Sequence, residues 1–232
     1  MYPSVTIVIP TLGDSDLKKT IQSINNNSIM PSEIIICIPE QFYFKVKNIK
    51  EDNVTILCTD TFGQVHQRIQ GFKEAKTEYI IQLDDDVRLE KNSIKELLSA
   101  IISKGKKSSV GPHMIDLDTR QSVHKNKLNF LKKIYYLVIN SPQGFLPGTI
   151  TKAGTCIGID AELSKKDLIE TEWLSGGMVI HNKSNLILEN YFPFKGKAYS
   201  EDLIHSHLMK EIGLELYICK RSICYIEAEK CF

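Results

Sequence analysis

Three consecutive carboxylates, Asp84, Asp85 and Asp86, follow an apolar run in "YIIQLDDDVRLE". Like charges this close repel one another and favour water, so a chain that sets them at the end of a strand of buried character commonly gives them a cation to hold. On extended backbone alternate side chains share a direction, which pairs Asp84 with Asp86 and turns Asp85 away. Two carboxylates with open positions beside them suit a hard divalent ion, Mg²⁺ or Mn²⁺, whose shell is completed by phosphate oxygens. A calcium-binding helix-loop-helix does not fit, because Val87 and Arg88 stand where that loop needs an oxygen ligand and a glycine. The competing reading of the same residues is a solvated acidic turn.

The surrounding elements favour the cation. "SVTIVIP" is a β-branched run closed by Pro10, then comes a turn-rich stretch, then "LKKTIQSINNNS" with Leu17, Ile21 and Ile24 on one helical face. "EIIICIP" and "NVTILCT" read as a second and third strand. "FGQVHQRIQGFKEAK" carries Val65, Ile69 and Phe72 at helical spacing before the fourth strand, "EYIIQL". Continuous apolar strands alternating with helices predict an α/β fold whose mainly parallel sheet is covered on both faces. Such sheets bind ligands outside the carboxyl ends of their strands, where Asp84 to Asp86 stand.

The 232 residues suffice for one domain with a sizeable core. A net charge of about +1, from 29 basic and 28 acidic residues, argues against a nucleic-acid partner. The six cysteines form no CxxC pair, and four lie in strand-like runs; they read as reduced, buried thiols of a cytoplasmic protein. "MYPSVTIVIPTLGDS" lacks the features of a secretion signal, and no run is long enough to span a membrane.

Two segments of the second half carry further candidates. "TEWLSGGMVIHNKS" sets Trp173, a flat apolar face for a sugar ring, beside Gly176 and Gly177, which allow close approach to the backbone; core packing is the plainer role for the indole. "YSEDLIHSHLMKEIG" reads as a helix capped by Ser200, with Glu201 and Asp202 in the first turn and Gly213 at its end. Between the halves, "HKNKLNFLKKIYYLVINSPQGF" sets Lys125, Lys127, Lys132 and Lys133 among Leu128, Phe130, Leu131, Ile134, Tyr135 and Leu137. It reads either as a segment lying on an anionic membrane or as a core helix with snorkelling lysines. "SPQGFLPGTITKAG" reads as a loop over the site.

Taken together, "VTIVIPT", "GQVHQRIQGFKEAKTEYIIQLDDD", "WLSGGMVIHNKS" and "YSEDLIHSHLMKEIG" resemble the nucleotide-sugar glycosyltransferases of the GT-A fold, family 2, and among them bacterial enzymes that assemble surface polysaccharides. The resemblance implies a single catalytic domain over 1–232, with a nucleotide-sugar half at 1–111 and an acceptor half at 112–232. It implies an inverting transfer from a nucleoside diphosphate sugar to a saccharide or lipid-linked acceptor, at peripheral membrane sites where the acceptor is lipid-linked. Asp86 and Asp84 would hold the metal. Pro10, Thr11, Glu40, Arg68, Asp84 and Asp85 would line the nucleotide; for Arg68 a solvated helix charge is the alternative. Trp173, Gly176, Gly177 and Glu201 would face the acceptor, and Asp202 would be the general base.

Two departures stand out. Relatives often carry an acidic pair after the second strand, where this chain has only Glu40. Relatives also often end the core with a metal-binding histidine; here Glu227, His205, His207 or water would fill that position. A sugar nucleotidyltransferase would need an arginine-containing, glycine-rich loop after the first strand, and "PTLGDSDLKK" has one glycine and no arginine. A catalytically weak nucleotide- or glycan-binding protein on the same scaffold is the non-enzymatic alternative.

Overall fold

The computed structural model describes residues 2–13, 16–125, 129–140, 144–151, 154, 156–194 and 198–227. Its first half alternates as the sequence suggests: β1 (Val5–Pro10), α1 (Leu17–Asn25), β2 (Glu33–Pro39), β3 (Val54–Thr59), α2 (Gln64–Glu74) and β4 (Tyr79–Leu83). The chain then adds β5 (Arg88–Leu89), α3 (Ser93–Lys104), β6 (Ser108–Asp116), α4 (Phe130–Asn140), β7 (Leu168–Thr171), β8 (Met178–Asn182), α5 (Glu201–Glu211) and β9 (Glu215–Ile226). One sheet joins the strands in the order β3-β2-β1-β4-β8-β6-β9-β5, with β7 on β9.

β1 lies parallel to β2 and β4, and β2 parallel to β3, so the carboxyl ends of four strands share one rim. β8 is reversed: it runs antiparallel to both β4 and β6. The reversal decides where the site forms. Leu83, the last residue of β4, pairs with Met178, the first of β8, so the residues just after β4 face those just before β8. Asp84 N–H donates to Gly177 O at 2.9 Å across that junction.

β1, β2, β4, β6 and β8 are buried on both faces, as their largely apolar sequences require. Val5, Ile7 and Ile9 of β1 pack with Leu17, Ile21 and Ile24 of α1 and with α3, while Val8 packs with Phe72 of α2 on the opposite side. Each such large aliphatic side chain contributes roughly 1.5–3 kcal/mol by leaving water. β3 is an edge strand and is only partly covered. A third cluster, Leu174, Val179, Met209, Leu214 and Leu216, seats α5 against the second half of the sheet.

The cysteine expectation holds in part: Cys37, Cys219 and Cys224 are buried, whereas Cys58 and Cys156 are exposed, and all five are free thiols. Both lie where the chain meets solvent, Cys58 on edge strand β3 and Cys156 on a loop. Cys231 lies outside the described residues. Among the described residues no helix is long and apolar enough to cross a membrane.

α2 can approach β1 and β2 closely because position 71 is glycine. A Cβ there would stand 2.4 Å from Val8 Cγ1 and 2.6 Å from Cys37 Sγ. Gly71→Ala is therefore expected to overpack this contact and cost about 1–3 kcal/mol, read as a lowered denaturation midpoint in urea.

Candidate active site

α2 sits under the rim and sends three polar side chains to it. Gln67, fully buried, donates to Thr11 O and Cys37 O, both at 2.8 Å, and so ties together the chain exits of β1 and β2. Gln64 and Arg68, one helical turn apart, both face Asp84. Gln64 Nε2 donates to Asp84 Oδ1 at 3.0 Å, and Arg68 Nη2 lies 3.5 Å from the same oxygen. Each also reaches the start of α5. Gln64 Oε1 accepts from Ala198 N–H at 3.3 Å, and Arg68 Nη1 donates to Glu201 Oε1 at 2.7 Å.

Arg68 is 1% exposed, which excludes a solvated helix charge. Burial alone would disfavour its charge, but Glu201 and Asp84 outweigh that and hold the guanidinium protonated. Glu201 is 3% exposed, and its second oxygen accepts from Tyr191 Oη at 2.8 Å. Glu201, expected as an acceptor contact, is buried with both oxygens engaged. Its burial follows from its place in the first turn of α5, which is turned inward onto α2.

Asp84 to Asp86 do not lie on extended backbone. They turn, with Val87 N–H reaching back toward Asp84 O at 3.4 Å, so the alternation expected from a strand does not apply. Asp85 accepts a short hydrogen bond from Thr11 Oγ1, and its backbone carbonyl accepts from Thr20 Oγ1 at 2.7 Å. Thr11 is thus engaged with Asp85, and Pro10 ends β1 beside it, in register with Cys37. Asp86 is exposed at the rim. Burial, with Asp86, Glu201 and Asp85 adding repulsion, pushes Asp84 up to about 6 although Arg68 opposes the rise.

The glycine pair fits the same junction. A Cβ on Gly176 would meet Glu201 Oε1 at 2.8 Å and Asp202 Cβ at 3.5 Å, and one on Gly177 would lie 3.8 Å from Asp84 Oδ2. The glycines therefore set the acidic turn after β4 and the start of α5 against adjacent residues of one backbone strip. Gly176 O is held by Gln82 Nε2 at 2.9 Å. Gln82 Oε1 is 3.3 Å from His181 Nε2, and His181 Nδ1 is 2.9 Å from Ser109 Oγ.

Asp202 is half-buried at this strip. Burial and neighbouring Glu201 raise its proton affinity, while backbone N–H groups of Leu203 and Gly176 oppose the rise. Ser200 does not cap α5: it adopts a left-handed conformation, φ 58°, and makes no capping bond, and Asp202 Oδ1 instead accepts from Leu203 N–H at 3.0 Å. Trp173 is half-buried rather than open to solvent, with the His124 ring edge-on at 5.8 Å.

Of the residues considered for a metal shell, His205 is buried and stacked on Tyr191 at 5.2 Å, and burial drops it to about 3, so it is a neutral core histidine. His207 points outward to Glu211 at 3.4 Å. Glu227 follows directly on the strand that pairs with β5, where Arg88 faces Tyr225. Glu227 itself lies past the end of that pairing. Among the described residues no group of three or more His, Cys, Asp or Glu side chains is placed to hold an ion alone. Asp84 and Asp86 at the end of β4 supply hard oxygen donors whose mutual repulsion a cation would relieve. They fit an ion that takes the rest of its shell from substrate and water.

Glu40 opens a short 3₁₀ segment after β2 and lines an open cleft of about 490 Å³ with Pro39, Gln41, Asp60, Thr61 and Phe62. Asp60 was not apparent from the sequence, which drew attention only to the exit of β2. It follows β3, the parallel neighbour, and its hydrogen bond with His66 at 3.0 Å holds its carboxyl below the usual range. Gln64, Gln67, Gln82, His181 and Tyr191 also escaped notice. The helical period that places Gln64 and Arg68 on one face was the signal available for the first of them.

A carboxylate rim at parallel strand ends, met by a reversed strand, makes this an α/β fold of the GT-A glycosyltransferase type. Residues 6–166 match the family described as Glycosyl transferase family 2, and the chain belongs to that family. Trp173, the glycine pair and Asp202 lie beyond the matched span. Among solved structures the chain is similar to GalNAc-T7 crystallised with UDP, GalNAc and Mn²⁺, at 18% identity and TM-score 0.65, covering 97% of this chain and 43% of that one. It is also similar to TarS of S. aureus, at 15% identity and TM-score 0.53, covering 96% of this chain and 36% of that one. The chain thus spans less than half the length of either protein. No protein of curated function matches the sequence.

Two outcomes follow. Arg68→Met would leave Glu201 and Asp84 buried without their cation and is expected to cost about 3–5 kcal/mol in urea unfolding, with Arg68→Lys recovering part of the loss. Because the folded state holds Asp84 near 6, above its unfolded value, its protonated form favours folding. That contribution is full below the unfolded pKa and fades as pH rises through about 6. Between about pH 4.5 and 7.5, metal-free wild type should lose stability relative to Asp84→Asn by on the order of 1–2 kcal/mol, allowing for the partial exposure of Asp84.

Proposed function

We propose that the protein is an inverting glycosyltransferase that moves a sugar from a nucleoside diphosphate sugar to a saccharide or lipid-linked acceptor in polysaccharide assembly. The observation that supports this most directly is that the acidic turn after β4 and the first turn of α5 pack against adjacent residues of one backbone strip, Asp84 beside Gly177 and Asp202 beside Gly176. A leaving-group site and a proton acceptor must both reach one anomeric carbon in a single displacement, and this junction holds a carboxylate for each.

The nucleotide would lie over the exits of β1 to β4, its base in the cleft between Glu40 and Asp60. That half corresponds to residues 1–111, and the acceptor half to 112–232. Asp86 and Asp84 would hold Mg²⁺ or Mn²⁺. A bound ion supplies electrostatic stabilisation of the departing diphosphate. The solved GalNAc-T7 structure, which contains UDP and Mn²⁺, supports a nucleotide and ion on this fold.

Asp202 would take the proton of the attacking hydroxyl. Its partial burial, with Glu201 beside it, raises its proton affinity, which improves a carboxylate as a base. Arg68 and Tyr191 fix Glu201, which keeps the first turn of α5, and so Asp202, in place. Trp173 borders the acceptor side.

The test is transfer or hydrolysis across a panel of nucleoside diphosphate sugars, with and without Mn²⁺. Wild type should be active only with the ion. Asp86→Ala should lose about 10²–10³ in kcat, and Asp202→Asn about 10²–10⁴. Unchanged activity in both variants would overturn the mechanism, and nucleotide binding without turnover would favour a binding protein on the same scaffold.

A further inference from the structure

Residues 119–159 contain six basic residues, Arg120, Lys125, Lys127, Lys132, Lys133 and Lys152, and no Asp or Glu. This stretch carries +6 in a chain of net charge +1, which leaves −5 on the remainder, from 23 basic and 28 acidic residues. At its centre stands α4, whose sequence FLKKIYYLVIN is apolar on nearly every side. Phe130, Leu131, Ile134, Tyr135, Leu137 and Val138 are 43–77% exposed, and Asn140 is the only buried residue of the helix.

A helix of 11 residues is marginal in water by itself, and one that exposes this many apolar side chains requires an apolar surrounding. At ~16 Å it is too short to cross a hydrocarbon core of about 30 Å. A symmetric contact with a second copy would bring two acid-free, basic segments together. An anionic lipid surface accepts both features at once, taking the apolar side chains below the headgroups and the lysines at their level.

Both feet of this excursion stand beside the acceptor side. At one end the His124 ring meets Trp173 edge-on at 5.8 Å. At the other, Gly148 O accepts from Glu172 N–H at 2.7 Å and Ile150 N–H donates to Glu172 Oε2 at 2.8 Å. Beyond it, burial and then the nearby charge of Asp202 raise the Cys156 thiol. We infer that α4 inserts into the headgroup region of an anionic bilayer and holds the Trp173–Asp202 side of the cleft toward it, where a lipid-linked acceptor would arrive. The choice of acceptor rests on the transferase reading; the lipid contact does not.

The experiment is vesicle co-sedimentation of the full chain, with phosphatidylcholine alone and with added phosphatidylglycerol. Wild type should pellet with the anionic vesicles and weakly with the neutral ones. Leu131→Asp/Val138→Asp and Lys132→Glu/Lys133→Glu should each lower partitioning about tenfold or more. Both pairs are exposed, so their circular dichroism and transfer to a soluble saccharide should match wild type. Asp202→Asn should bind vesicles as wild type does, so that a failed transferase assay and a failed lipid contact give different results. Wild type remaining in the supernatant with anionic vesicles would overturn the inference. So would a dimer in light scattering that Leu131→Asp/Val138→Asp dissolves, since α4 would then be covered by a second copy.

Discussion

The buried guanidinium of Arg68 is the constraint on which the site depends. It stands on a helix of the first half, touches Asp84 at the end of β4 and Glu201 at the start of α5, and has almost no access to water. A buried charge of this kind is tolerated only where its partners are fixed, so the ion cluster specifies position more than it adds stability. The acidic turn cannot drift from α5 without leaving a charge uncompensated. Gln64 repeats the link one turn earlier with a neutral amide, holding Asp84 on one side and Ala198 N–H on the other.

The second constraint is topological. Parallel strands alone would gather Thr11, Glu40, Asp60 and the three aspartates on one rim with nothing opposite them. Reversing β8 brings its entry, rather than its exit, to that rim, and the entry is the glycine pair. Side chains at 176 or 177 would push against Glu201 or approach Asp84. The absence of a Cβ at Gly176 leaves room for the Glu201 carboxylate, whereas a Cβ at Gly177 would make only ordinary contacts. Behind it, Gln82 and His181 anchor Gly176 O from inside the sheet.

The first half was legible because its signals are local. Unbroken runs such as EIIICIP correspond to β2 residue for residue, and the apolar period of 17–24 marks the buried face of α1. The three aspartates could be placed at a strand end from the same pattern. Their side-chain directions could not, because a turn replaces the extended backbone at residue 84. Burial of Arg68 and Glu201 was equally out of reach, since 133 residues separate them and neither segment shows the other in its own sequence. The exposure of α4 was hidden for a related reason: an apolar helix reads the same whether the remainder of the fold covers it or leaves it bare.

The charge balance at the rim bears on how substrates would meet there. Asp84, Asp85, Asp86, Glu201 and Asp202 gather about this rim, and burial together with repulsion among them raises the proton affinities of Asp84 and Asp202. A diphosphate approaching this rim faces the same repulsion. On the proposed reading, nucleotide and divalent ion therefore depend on each other: the carboxylates hold the ion incompletely without phosphate oxygens, and the phosphate has no favourable seat without the ion. Arg68 does not remove this dependence, because its charge is spent inside the protein on Glu201 and Asp84. On that reading its role is to keep the acidic turn and Asp202 in place while the rim stays negative enough to call for a cation.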